Sequence, residues 1–179
     1  MNFQGLTLMP DAIYNTQDIL IITPEIITDL KKEALKSRRK RYRLCLHYNN
    51  EHPTHEMLIV FHKDTYMPPH RHPIGKSESY HIVEGTMTVY FFDDDGTVIQ
   101  HSRLSDVRSK APFMYRLSGN IWHMPVAESE WLVYHETYTG PFDKMSDVEF
   151  TSWAPREDEI EKSVEFLKNC RNSTTDNKR

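Results

Sequence analysis

An all-β barrel of two sheets, with one helix ahead of it and a short helix behind, is the fold class that this sequence predicts. Three observations carry it. Short stretches rich in β-branched and aromatic residues recur at even spacing through the middle of the chain, as they do in sandwiches and barrels. Asp95-Gly96 separates two of those stretches, and that dipeptide favours a two-residue hairpin turn. His70 and His72 stand two apart, ahead of a Pro73-Ile74-Gly75 turn, so on a strand both imidazoles leave from one face. A double-sheet jelly roll is the simplest member of the class to house convergent histidines.

Residues 1–41 read as an N-terminal arm and a helix. The first 23 residues set Gln, Asn, Asp and Thr between short apolar clusters, which suits an extended arm or one irregular strand. Such an arm packs on its own barrel or pairs with a neighbouring subunit. Thr23-Pro24-Glu25 looks like a helix start, with proline at the first helical position and an acid in the first turn. Ile26, Ile27, Leu30, Ala34 and Leu35 then recur at three and four, and predict a helix over about 24–37 with one apolar stripe. The basic run from Lys36 to Arg43 suits a helix C-terminus for Lys36, Arg38 and Lys40. Arg39 and Arg41 share a face once the chain is extended, and arginine suits bidentate contact with phosphate or carboxylate.

Residues 42–142 read as the barrel. Arg43–Tyr48, Glu56–His62, His81–Val83, Thr86–Phe92, Thr97–His101, Phe113–Leu117 and Trp131–Thr137 are the strand-like pieces. Residues 143–169 form a C-terminal segment with acids in a first turn, and Ile160, Val164, Phe166 and Leu167 predict a capping helix over about 156–169. The last ten residues, 170–179, lack an apolar set and are expected to be a disordered tail.

A chain of 179 residues is about one domain and can bury a real core. Its 22 basic and 26 acidic residues leave it mildly negative, so nothing global recruits nucleic acid or an anionic membrane. Cys45 and Cys170 have no C-x-x-C spacing, which argues against a disulfide framework and fits a reducing cytoplasm. The early apolar run Ile19–Ile22 is too short for a signal-peptide core, and no segment reaches bilayer-spanning length. The expectation is a soluble cytoplasmic protein.

Chemistry concentrates on four residues. Glu78 opens a strand that can lie antiparallel to the His70-His72 strand and bring a carboxylate to the same place, and a third imidazole comes from His123. Three imidazoles and a carboxylate would hold a divalent first-row metal with positions left open for water or substrate. With no soft ligand in the set, Fe, Mn, Ni and Zn are all admissible. Neutral imidazoles are required, so binding should weaken as pH falls through the imidazole range. Arg71, between the ligands, points the other way. The remaining seven of the ten histidines have no partner spacing and read as structural or surface residues. Glu136 and Tyr138, alternating on the late strand, are candidates for proton transfer at the metal, with a structural salt bridge as the other reading of Glu136. Tyr80, Tyr90, Tyr115 and Trp122 either line a pocket or fill the core.

At these positions the chain resembles the cupin superfamily. The first cupin motif, a His-x-His pair followed by a Glu and then a Gly, corresponds to His70, His72, Glu78 and Gly85, and the second, looser here, to Gly119 and His123. The match is closer to the cupin-fold metalloproteins called the WbuC family. It rests on Arg39-Lys40-Arg41 ahead of Leu46-His47, on His70-Arg71-His72-Pro73, on Glu136 shortly before Gly140-Pro141-Phe142, and on Trp153-Ala154-Pro155 ahead of the final helix. The resemblance implies a metal-binding cupin associated with bacterial surface polysaccharide such as O-antigen or capsule, with arginines where Arg39 and Arg41 stand. Its small-molecule ligand would be a sugar or nucleotide-sugar, contacted by Arg39, Arg41 and Tyr80, and its reaction isomerase- or epimerase-like. An Fe(II)-dependent dioxygenase and a non-catalytic, metal-braced sensor are the alternatives. A homodimer is expected from the arm and from the family's habit.

Overall fold

The computed structural model describes residues 6–9 and 11–176 of the chain. Twelve strands and two helices follow one another: β1 (Leu6–Met9), β2 (Ala12–Asn15), α1 (Pro24–Lys36), β3 (Arg41–Cys45), β4 (Thr54–His62), β5 (His70–Arg71), β6 (Ser77–Glu84), β7 (Thr86–Phe92), β8 (Val98–Ser105), β9 (Met114–Ser118), β10 (Trp122–Ala127), β11 (Trp131–Thr139), β12 (Glu149–Phe150) and α2 (Ile160–Asp176). They form a seven-stranded sheet in the order β1-β2-β3-β4-β11-β6-β9 and a five-stranded sheet in the order β12-β5-β10-β7-β8. This is the double-stranded β-helix jelly roll, flanked by an N-terminal and a C-terminal helix.

Alternation sorts each strand into an inner and an outer face. Met57, Ile59, Phe61, Tyr80, Ile82, Met87, Val89, Leu132 and Tyr134 meet between the sheets as the main core. Leu44, Leu58, Val60 and Val133 point outward from the seven-stranded sheet and are covered by Leu30 and Ala34 of α1. Burying Leu30 alone contributes roughly 2 kcal/mol. On the other side, Tyr90, Phe92, Trp122, Met124 and Val126 pack against Phe166, Leu167 and Cys170 of α2.

Helix α1 starts at Pro24 and ends at Lys36, close to the limits read from its stripe. The arm packs on its own barrel: β2 runs parallel to β3, pairing Ile13 with Leu44, and Ile13 is fully buried. Residues 1–5 and 10 of the arm lie outside the described residues.

Three expectations are corrected. Strand β10 was not legible because all six of its residues are buried, so no alternation marks it, and Pro125 argues against a central strand. The strand tolerates that proline because β5 pairs with it only at His123. Helix α2 begins at Ile160 rather than near 156, after a turn in which the Arg156 backbone N–H bonds Glu159 Oε2 at 2.9 Å. It then runs to Asp176, so residues 170–176 are helical rather than an unstructured tail, because Cys170, 4% exposed, extends the apolar stripe. Residues 177–179 of the expected tail lie outside the described residues. On α2 the buried stripe is Ser163, Phe166, Leu167 and Cys170, while Ile160 and Val164 face solvent. Among the described residues, no helix is long and apolar enough to cross a membrane.

Candidate metal centre

Local backbone rules place the first two imidazoles. His70 and His72 leave the same side of β5, and Arg71 between them turns outward to Glu149, Asp94 and the face of Trp122. Strand β10 lies antiparallel to β5 with His123 directly opposite His70. Ligand nitrogens of His70, His72 and His123 all lie within 4.8 Å of one another, and all three side chains are buried.

Two motif glycines hold these pieces in place. Gly119 packs so closely on the 73–76 turn that a Cβ there would sit 2.3 Å from the Pro73 carbonyl oxygen. The next residue, Asn120, donates its N–H to the His72 carbonyl at 2.6 Å, which clamps the entry of β10 onto the end of β5. Gly85, at φ +85°, makes the turn from β6 to β7 against the Trp131 carbonyl, where a Cβ would be 2.1 Å away.

Hydrogen bonding fixes which nitrogen of each ring faces inward. His70 Nδ1 lies 3.1 Å from the Pro68 carbonyl, His72 Nδ1 2.7 Å from the Asp147 carbonyl, and His123 Nδ1 2.9 Å from the Ile121 carbonyl. A carbonyl can only accept, so each Nδ1 donates there and each Nε2 is the nitrogen turned to the interior. Outer contacts of this kind orient histidine ligands in metal sites.

Glu78 completes the cluster. It is 2% exposed, with Oε2 3.2 Å from His72 Nε2 and Oε1 2.9 Å from His123 Nε2. Tyr115 donates its hydroxyl to Oε1 at 3.3 Å. Burial works against the Glu78 charge, but the charge of His123, joined by His72, more than reverses that and holds the carboxyl below its ordinary range. Burial also works against a charged His123, and here the Glu78 carboxylate prevails and raises the imidazole. At His70 burial and the His123 charge outweigh the Glu78 carboxylate and hold the ring well below its ordinary value. The close approach of His123 to Glu78 is ionic rather than a well-aligned hydrogen bond, because Nε2 is left without a partner of proper geometry. A buried ring nitrogen without a well-aligned hydrogen bond, close to two others, is what a bound divalent cation would satisfy. The residues present therefore fit a divalent metal.

The other expected site residues divide. Glu136 faces the barrel interior, across from Tyr80 on β6 and Met57 on β4. Its carboxyl is pushed up to about 8, first by burial and then by the Glu78 charge, against the opposing pull of His72, Arg43 and Tyr80. Some of its surface is still accessible, as for a side chain that lines a hollow. Tyr138 packs its ring 4.8 Å from that of His72 and donates to the Asp147 carbonyl at 3.4 Å. Tyr80 stacks on Tyr134 in the core, whereas Tyr90 and Trp122 lie under α2 and line no part of the centre. Arg39 and Arg41, expected as ligand contacts, are both taken up by Glu157. Arg41 also donates to the Tyr66 carbonyl and lies over the Phe61 ring.

Tyr115, one of the aromatics expected to line a pocket or fill the core, bonds Glu78, whereas Asp147 was not read from the sequence as part of the site. Asp147 acts through its backbone carbonyl, which leaves no signature in residue type. A concavity of about 240 Å³ lies along β6 and β11, lined by Ser77, Ser79, Arg116, Thr137 and Thr139 together with the site residues Glu78 and Tyr138.

The fold and the site together define a double-stranded β-helix barrel, the cupin architecture, with a buried histidine cluster able to hold a metal ion. Residues 22–104 match a family described as a domain of unknown function, DUF6016. No curated protein is significantly similar in sequence. Solved structures with a related course include a protein from Shewanella oneidensis, 11% identical, with a TM-score of 0.47 over 63% of this chain and 75% of that one. KdgF from Halomonas sp. is 17% identical with a TM-score of 0.45, over 59% of this chain and 83% of that one. L-ribose isomerase from Cellulomonas parahominis is 16% identical with a TM-score of 0.48, over 62% and 68% respectively. Likenesses this distant say nothing about chemistry.

Proposed function

We propose that the chain is a metal-dependent protein in which His70, His72, His123 and Glu78 hold one divalent cation, and that it catalyses proton transfer on a sugar-like small molecule, as an isomerase or epimerase does. The observation that carries the metal reading is the set of three Nδ1–H groups bound to carbonyls, which turns three Nε2 atoms toward one interior point, with the ligand nitrogens all within 4.8 Å of one another. When bound there, a divalent cation supplies Lewis-acid polarisation of a carbonyl or hydroxyl oxygen.

Glu136 supports the proton-transfer reading. A carboxyl held up to about 8 exchanges its proton near neutral pH, which is where a general acid or base works best. Burial pushes the Tyr138 phenol up, so that group stays protonated and serves as a hydrogen-bond donor. The sugar class, and a place in surface polysaccharide assembly, rest on the resemblance of the motifs.

Solvent exchange tests the reading. Metal-loaded protein is incubated in D2O with a panel of aldoses, ketoses and nucleotide-sugars, and loss of a carbon-bound proton is followed by NMR. Exchange with at least one substrate, reduced about 100-fold or more in Glu136→Gln at unchanged metal content, is the expected result. Full exchange by Glu136→Gln, or none by the wild type with any substrate, would count against it.

A further inference from the structure

Strand β3 places a different arginine from those expected at the inner face of the barrel. Its register pairs Arg41 with Phe61, Arg43 with Ile59 and Cys45 with Met57, and those three β4 residues belong to the core between the sheets. Tyr42 and Leu44 take the opposite face, under α1. Arg41 and Arg43 therefore share the concave side, and their surroundings differ. Arg41 is held by Glu157, by the Tyr66 carbonyl and by Phe61. Arg43 is exposed, and among the described residues its guanidinium makes no hydrogen bond and no ion pair.

An exposed arginine without a partner is ordinary on an outer surface. On an inner face it is not, because the residues that continue its row across the sheet, Ile59, Tyr134 and Ile82, are buried. Arg43 therefore stands where the interior opens to solvent. Its charge acts on Tyr134, Glu136, Cys45 and His47. Glu136 in turn feels Glu78 and His72. The register sets the order along the inner wall: Glu78 lies level with Tyr138, Glu136 with Tyr80 and Met57, and Arg43 with Ile59 and Tyr134.

We propose that Arg43 anchors an anionic group, a carboxylate or a phosphate, of the small molecule that reaches the metal centre. This rests on the metal reading above and narrows its substrate class to acidic sugars and sugar phosphates. The guanidinium fork matches either oxyanion bidentately, and among the described residues no hydrogen of that fork has a protein partner. A ligand held at both ends spans the Glu136 carboxyl, which places the carbons between its anion and its metal-facing oxygens beside the group that moves protons. Arg39 and Arg41 cannot take this part while Glu157 occupies them.

The test starts from metal-loaded wild type, Arg43→Ala and Arg43→Lys, with metal content measured on each sample. Each is titrated calorimetrically with D-glucuronate, D-glucose 6-phosphate and neutral D-glucose. The expected result is that at least one charged probe binds the wild type tenfold or more tighter than glucose. Arg43→Ala abolishes that preference and Arg43→Lys keeps part of it, with metal content and glucose binding the same in all three. The charged probe that gains most identifies carboxylate or phosphate. A wild type that holds one metal per chain but shows no preference for either charged probe overturns the role of Arg43 alone, as does an undiminished preference in Arg43→Ala. A wild type that takes up no metal overturns the centre itself, and the inference with it.

Discussion

Replacing His123 with leucine separates what holds the metal-free centre together from what holds the metal. His123 is 0% exposed and its partner Glu78 is 2% exposed, so His123→Leu leaves a carboxylate buried beside His72 and the Tyr115 hydroxyl alone. Breaking a buried pair by removing one member costs about 3–5 kcal/mol, because the other charge remains unmatched. Removing that charge as well, in His123→Leu with Glu78→Gln, should recover much of the loss. The coupling between the two substitutions is then expected to be about 2 kcal/mol or more. Urea unfolding of the four proteins at pH 7 in chelator measures it directly. Added metal at about 100 times its dissociation constant should stabilise the wild type by about 2.7 kcal/mol and leave both leucine variants unmoved. A His123→Leu protein as stable as wild type in chelator, with coupling within about 0.5 kcal/mol, would refute the reasoning.

Metal binding near neutral pH should release protons, because Glu78 raises His123 above its ordinary value and the ring must give up that proton to bind. Affinity therefore rises with pH until His123 is neutral, and calorimetry in buffers of different ionisation enthalpy reads the release; zero net release would contradict this. Gly85→Ala should lower unfolding stability by about 2 kcal/mol or more, since its φ of +85° and a Cβ 2.1 Å from the Trp131 carbonyl both oppose a side chain; an unchanged urea midpoint would show that the turn is not constrained as described. Arg41→Ala should cost about 2 kcal/mol, because it leaves the Tyr66 carbonyl without its donor, whereas the more exposed Arg39→Ala should stay within about 1 kcal/mol. Equal losses in urea unfolding would mean that the two share Glu157 on the same terms.

The His70-His72 pair was legible because its geometry is local. His70 and His72 need only an extended chain to converge. The expected antiparallel pairing of the Glu78 strand with theirs is not what forms: β6 lies in the opposite sheet, paired with β11 and β9, and Glu78 reaches the histidines across the barrel. Helix α1 was legible from Pro24 and one apolar stripe. What the sequence hid depends on distant partners. Arg39 and Arg41 looked free until the fold brought Glu157, 118 positions from Arg39, against them. Strand β10 hid because a strand covered on both faces has no polar alternation, and Cys170 looked like part of a tail until α2 lay against Tyr90 and Trp122. The carbonyls of Pro68, Ile121 and Asp147 that orient the rings carry no residue-type signal at all.

Diffraction from crystals of metal-loaded protein, recorded on and off the absorption edge of the added metal, tests the account most directly. One anomalous peak per chain is predicted, within about 2.0–2.2 Å of the Nε2 atoms of His70, His72 and His123, with each Nδ1 still bound to its carbonyl. A peak at any other group of side chains, or coordination through Nδ1, would contradict it.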